Sequence, residues 1–140
     1  MIRAAVMADA LQLAALMTQL GYPTQAKEMR ARLRSVFSDN GFRTFVATDH
    51  EQIVGMAGTS EHASYEHNDR TGRIVAMVVS DNARRKGVGR QLMRAVEKSF
   101  RRRGVRRIVL DARLERVKAH QFYEALGYRK TGWRFAKLLE

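Results

Sequence analysis

The sequence predicts an α/β fold, an α+β mixed sheet flanked by about four helices, and three observations point to it. A continuously apolar run, RIVAMVVS at 73–80, passes through a basic glycine stretch, RRKGVGR at 84–90, into an amphipathic segment and then a second apolar run, RIVLDA at 107–112. That order is a βαβ unit, whose strands lie parallel or nearly neighbouring with a right-handed crossover. Ahead of it, two stretches of helical periodicity precede two strand-like runs joined by a polar turn. With 140 residues, 45% of them hydrophobic, the chain has material for one ordinary core, so a single domain over 1–140 is expected.

Taken in order, a short opening strand leads to Asp9, placed to cap a first helix on which Leu13, Leu16, Met17 and Leu20 recur at helical spacing. Gly21 and Pro23 end it. Thr24 is the expected cap of a second helix, whose apolar line of Met29, Leu33, Val36 and Phe37 lies opposite Lys27, Arg30, Arg32 and Arg34. FRTFVAT and IVGMAGT, either side of DHEQ, read as an antiparallel hairpin. The polar EHASYEHND at 61–69 has no period and reads as a loop or fraying strand end. RIVAMVVS suits a buried central strand.

Val88, Leu92, Ala95, Val96 and Phe100 mark one face of the helix after the glycine loop, which Gly104 ends. Ala119, Phe122, Tyr123 and Leu126 share a later helix face closed by Gly127, and WRFAKLL is expected to form a terminal strand. Trp133 and Phe135 on that exposed strand leave room for pairing with a second chain, a homodimer.

Composition removes several classes of chemistry. The chain has no cysteine, so disulfides, thiolate metal sites and a cysteine nucleophile are absent, and the cytoplasm is the expected compartment. No apolar run approaches the roughly 20 residues that cross a bilayer, and Asp9 interrupts the opening segment where a signal peptide would be apolar, so no membrane partner is expected. Lys and Arg number 26 against 14 acids, a net charge of +12 that attracts phosphates, nucleic acid or acidic surfaces. No helix-turn-helix, zinc module or aromatic-interleaved surface accompanies that charge, which argues against nucleic acid as the partner without removing it.

A loop between a buried strand and a helix start leaves backbone N–H groups without intrahelical partners, and glycines let an anion come close. Arg84, Arg85, Lys86 and Arg90 add full charges there, which favours a di- or polyphosphate over a single carboxylate. Neither GxxxxGK[ST] nor GxGxxG occurs at this place, so neither a P-loop nor a dinucleotide fold accounts for it.

Arg84-Arg85-Lys86-Gly87-Val88-Gly89 resembles the [QR]xxGx[GA] signature of the GNAT acetyltransferase superfamily, and Ala119 to Tyr128 resembles its later AxxFYxxxGF segment. The resemblance implies the GNAT acyltransferase fold, a central mixed sheet with splayed strands, and acetyl-CoA as cosubstrate. It implies that backbone amides between Arg85 and Arg90, Val88 and Gly89 among them, hold the pyrophosphate, with Arg84 at the signature's first position. It also implies that Met77, Val78 and Val79 part from a neighbouring strand at a bulge and offer backbone groups to the pantetheine arm, where an N–H polarises the thioester carbonyl. Tyr123 matches the tyrosine that protonates the departing thiolate, and Arg116 stands where relatives frequently carry an asparagine.

The implied activity is transfer of an acetyl group to the primary amine of a small molecule by direct attack in a ternary complex; the alternative acceptor is a macromolecular amine, a protein N-terminus or lysine or an aminoacyl-RNA. Where family members carry a glutamate in the central strand, Val75 and Met77 are apolar, so base candidates move to Glu61, His62, Glu66, His67 and Asp69. No metal is expected, since His62 and His67 match no ligand spacing on a helix. In RRRGVRR at 101–107 a charged solvated face is the expected role.

Overall fold

The apolar runs become five strands of one sheet in a computed structural model that describes residues 1–140. The strands are β1 (Ile2–Ala4), β2 (Phe42–Asp49), β3 (Gln52–His62), β4 (Thr71–Val79) and β5 (Arg107–Leu110), in spatial order β1-β2-β3-β4-β5. Pairing from β1 through β4 is antiparallel, and β5 completes a mixed sheet beside β4. The helices are α1 (Ala10–Leu20), α2 (Ala26–Phe37), α3 (Val88–Arg102) and α4 (Val117–Ala125). The chain divides into two compact units, Met1–Val109 and Leu110–Glu140.

In the first unit, α1 and α2 bury Leu13, Leu16, Met17, Met29 and Leu33 against Val46, Met56 and Val78 on one face of the sheet. Side chains alternate across a strand, so Gly55 and Gly72 face the other way, against Val88, Leu92 and Phe100 of α3. Leu92, Met93, Val96 and Phe100 are fully enclosed, each worth about 1.5–3 kcal/mol of burial. No helix is long and apolar enough to cross a membrane.

One expected cap keeps its place and one is replaced. Asp9 stands at the N-cap position of α1, but its side chain makes no capping bond there and closes the 3-10 turn over Met7–Asp9: its carboxylate accepts the Val6 N–H at 2.8 Å and two Arg3 N–H groups at 2.9 Å. Thr24 is not the α2 cap, because its hydroxyl donates to Tyr22 O at 2.6 Å; Gln25 takes the position, its N–H donating to Glu28 Oε1 at 2.9 Å. The β2–β3 hairpin turns through His50 and Glu51, both at positive φ, +49° and +69°. That is the primed-turn geometry a two-residue hairpin requires.

The second unit carries α4 and the stretch after it. The expected terminal strand WRFAKLL is absent: residues 128–140 have no regular secondary structure, and Trp133, Phe135, Leu138 and Leu139 are exposed. Apolar alternation is only a preference, and a strand needs a neighbour to take its hydrogen bonds. The pairing of chains expected through that strand has no strand to rest on.

Candidate functional site

The site is built from the exit of β4 and the first turn of α3. Ser80 N–H donates to Val54 O at 2.8 Å, carrying the sheet pairing one residue past β4, and a 3-10 turn over Asp81–Ala83 then swings the chain outward on the buried Ala83. Residues 84–87 form exposed turns. Gly87, at φ +79°, is the N-cap of α3, and no side chain caps that end. The first backbone bond of the helix runs from Gln91 N–H to Gly87 O at 3.0 Å, so the N–H groups of Val88, Gly89 and Arg90 lie ahead of it without intrahelical acceptors.

Gly87 is demanded by its left-handed backbone, since a Cβ there would meet nothing within 4 Å; the space in front of the loop is open. Gly55 is demanded by crowding. A Cβ at Gly55 would stand 3.1 Å from both Val88 and Leu92, so its absence lets the start of α3 settle onto β3 directly opposite Val79.

The predicted cations separate into two groups. Arg85, Lys86 and Arg90 are exposed and have no carboxylate partner, and Arg85 itself holds a left-handed φ of +64°. Arg84 turns back toward the strand, with Nη2 3.2 Å from Asp81 Oδ1 and Nε donating to Val79 O at 3.4 Å. Open amides at a helix start, a positive-φ glycine and three unpaired cations together suit an anion carrying more than one phosphate.

Gln19 is the residue that sequence reasoning missed. Its Nε2 donates to Val79 O at 2.9 Å and its Oε1 accepts Asp81 N–H at 3.2 Å, so α1 grips both sides of the β4 exit. A polar side chain near the end of an apolar helix face gives no sequence sign of this. Val79 O is therefore engaged within the protein, while Met77 and Val78 pair across the sheet with Ala57 and Met56. The bulge expected at Met77 to Val79 lies earlier. Register slips between Gly58 and Thr59, which face Ala76 and Ile74, and leaves Val75 as the extra, exposed residue. Gly58 opposite offers the room, its missing Cβ lying 3.6 Å from Val75 Cγ2.

Among the base candidates, the structure ties up two. Glu61 sits at the end of β3 with Oε2 accepting Arg70 Nε at 2.9 Å and Oε1 against Arg103 Nη1. Burial raises the Glu61 pKa, but Arg70 and Arg103 outweigh it and hold the carboxyl below its ordinary value. Asp69 pairs with Arg107 at 3.4 Å. These contacts make Glu61 and Asp69 structural anchors of the 63–70 loop, and they give Arg103 and Arg107 of the basic run specific partners in place of the expected solvated role. His62, Glu66 and His67 are exposed, with His62 Nδ1 2.9 Å from Ala63 O. No three His, Asp or Glu side chains gather as a metal site would need.

Tyr123 lies on α4 in the second unit. Its ring meets Phe122 edge-on at 5.2 Å and Tyr128 at 6.0 Å. Burial pushes its phenol pKa up, opposed by the charge of Arg116.

A family profile described as "Acetyltransferase (GNAT) family" matches residues 8–128. The chain is 27% identical over 112 residues to human "N-acetyltransferase 8", covering 80% of this chain and 49% of that one. It is 31% identical over 88 residues to "Aminoalkylphosphonate N-acetyltransferase" of Salmonella typhimurium, covering 63% and 57%. The chain thus spans about half the length of the curated relatives it matches. A solved structure of a GNAT family acetyltransferase from Staphylococcus aureus superimposes with a TM-score of 0.86 at 25% identity, covering 99% of this chain and 98% of that one.

Proposed function

The chain belongs to the GNAT acetyltransferase family, and from that premise we propose that it transfers an acetyl group from acetyl-CoA to the primary amine of a small molecule, by direct attack in a ternary complex. One observation carries the reading: the Arg84–Arg90 loop presents the open N–H groups of Val88, Gly89 and Arg90 beside Arg85 and Lys86, with free space before Gly87. Those groups fit a pyrophosphate. Acetyl-CoA held there supplies the acetyl group as an activated thioester.

The remaining roles belong to this chain's residues. The backbone of Met77, Val78 and Val79 lines the pantetheine arm, and an N–H of that segment donates to the carbonyl oxygen as charge develops on it. Gln19 and Arg84 keep the segment in place through Val79 O. The amine nitrogen, entering in its neutral form, bonds to the acetyl carbon as the C–S bond breaks; Tyr123 is assigned to give the departing thiolate its proton, and the proton shed by the acylated nitrogen passes to solvent, which reprotonates the phenolate. The named activity of the Salmonella relative, on an aminoalkylphosphonate, supports a small amine as acceptor.

The test is release of CoA thiol in the presence of a panel of small primary amines; the chain has no cysteine, so its own thiols contribute no background. The expected result is thiol release that saturates with at least one small amine. Release only with peptides bearing a free N-terminus or lysine, or with aminoacyl-RNA, would transfer the acceptor to a macromolecule.

A further inference from the structure

The acetyl-CoA loop does not absorb the basic surface at the other end of α3. There, where the flank of α3 meets β1 and β2, a hollow of about 360 Å³ opens in the first unit. Arg3, Arg43, Lys98, Arg102 and Arg103 line it, and no carboxylate does. Lys98 lies roughly 15 Å along α3 from Val88, at 1.5 Å per residue, so this is a separate place from the glycine loop.

The five cations are not equivalent. Arg3 is held by Asp9 and Arg103 by Glu61, each through charge-assisted hydrogen bonds that fix the guanidinium. Arg43 donates only to backbone carbonyls, Asn40 O and Phe42 O at 2.7 Å. Lys98 and Arg102 are exposed and carry no ion pair. Three positive charges therefore face one hollow without neutralising partners, an arrangement that self-repels until an anion joins it. The rest of the lining is mostly apolar, Ile2, Ala4, Phe45 and Ala95, with Ser99 accepting a hydrogen bond from Arg103.

Cations beside an apolar lining with one aromatic ring select a ligand that is anionic at one end and flat and weakly polar at the other. The volume suits a small organic molecule. We propose that this hollow is a second anion site, and that its ligand is a nucleoside phosphate, with phosphates on Arg43, Lys98 and Arg102 and the base over Phe45.

The probe is ADP, titrated calorimetrically into the full chain saturated with acetyl-CoA, and into Gly87→Glu and Lys98→Glu/Arg102→Glu variants whose melting temperatures are checked first. Saturable one-to-one binding is expected in the wild type and in Gly87→Glu, with affinity at least about tenfold lower in the double charge reversal. Inorganic pyrophosphate and adenosine, tested separately, should each bind more weakly than ADP. Loss of ADP binding in Gly87→Glu with retention in the double reversal would place the nucleotide in the glycine loop and overturn the proposal. So would pyrophosphate binding as tightly as ADP, or a single-stranded oligonucleotide binding this face where ADP does not.

Discussion

A phenol whose pKa is raised by burial, as that of Tyr123 is, keeps its proton through the neutral range. A thiol has an ordinary pKa near 8.5 and a phenol near 10, so full transfer to a free thiolate runs uphill, and the group is useful only as charge grows on sulfur in the transition state. Tyr123→Phe is expected to lower kcat by about 10²-fold while leaving acetyl-CoA affinity unchanged. Steady-state thiol release with parallel calorimetry checks both quantities, and an untouched kcat would reduce Tyr123 to packing against Phe122 and Tyr128. Gln19 acts at a distance, through backbone. Gln19→Ala removes the partner of Asp81 N–H and the nearer of the two donors to Val79 O, and should cost about 1–2 kcal/mol of stability together with a several-fold rise in KM for acetyl-CoA. A rise in KM without loss of stability would mean that Gln19 touches the cofactor instead. Tyr123 and the glycine loop are legible as candidates because each lies in a short motif of contiguous residues. Residue identity could not announce that Glu61 is held by Arg70 and by Arg103, 42 residues away, since that pairing exists only once β3 and α3 are packed.

Secondary structure followed the local signals where burial and spacing agreed. The apolar face of Leu13, Leu16 and Met17 became α1, and RIVAMVVS became β4. The signals failed where the decisive partner was elsewhere. Asp9 has the right side chain for a helix cap but is drawn to Arg3 and Val6, and WRFAKLL has strand-like composition with no neighbouring strand to pair with it. The slip at Val75 depends on Gly58 of the facing strand, which no single-strand pattern reveals. The hairpin turn shows a local rule broken in place: His50 and Glu51 both sit at positive φ without a glycine. Replacing His50-Glu51 by Asn-Gly should stabilise the chain by about 1 kcal/mol, read as a raised Tm, because Asn and Gly adopt that geometry at lower cost. An unchanged or lowered Tm would show that the turn bears no such strain.

For the whole molecule, charge governs behaviour. At +12 the chain already repels itself at neutral pH, and every carboxylate protonated adds to the imbalance. Asp9, through the Arg3 hydrogen bonds above all, and Glu61, through Arg70 and Arg103 against its burial, have depressed pKa values in the folded state. A depressed carboxylate pKa contributes stability above the unfolded value near 4, and that contribution disappears as pH falls through the folded value. Tm should therefore hold between about pH 7 and 5 and fall steeply below about pH 4. Asp9→Asn and Glu61→Gln should lower the neutral Tm and flatten the acid limb, whereas parallel curves for wild type and variants would remove those two ion pairs from the account. The Arg84–Arg90 loop and the cationic hollow both lie in the unit Met1–Val109 and share no residue, so each can be probed by its own variant. The most direct measurement is calorimetric titration with acetyl-CoA at moderate salt, beside a Gly87→Glu variant and an oligonucleotide of matched charge. Saturable one-to-one binding of acetyl-CoA that Gly87→Glu abolishes and the oligonucleotide does not reproduce is the predicted result; affinity unchanged by Gly87→Glu would contradict the assignment of the Arg84–Arg90 loop.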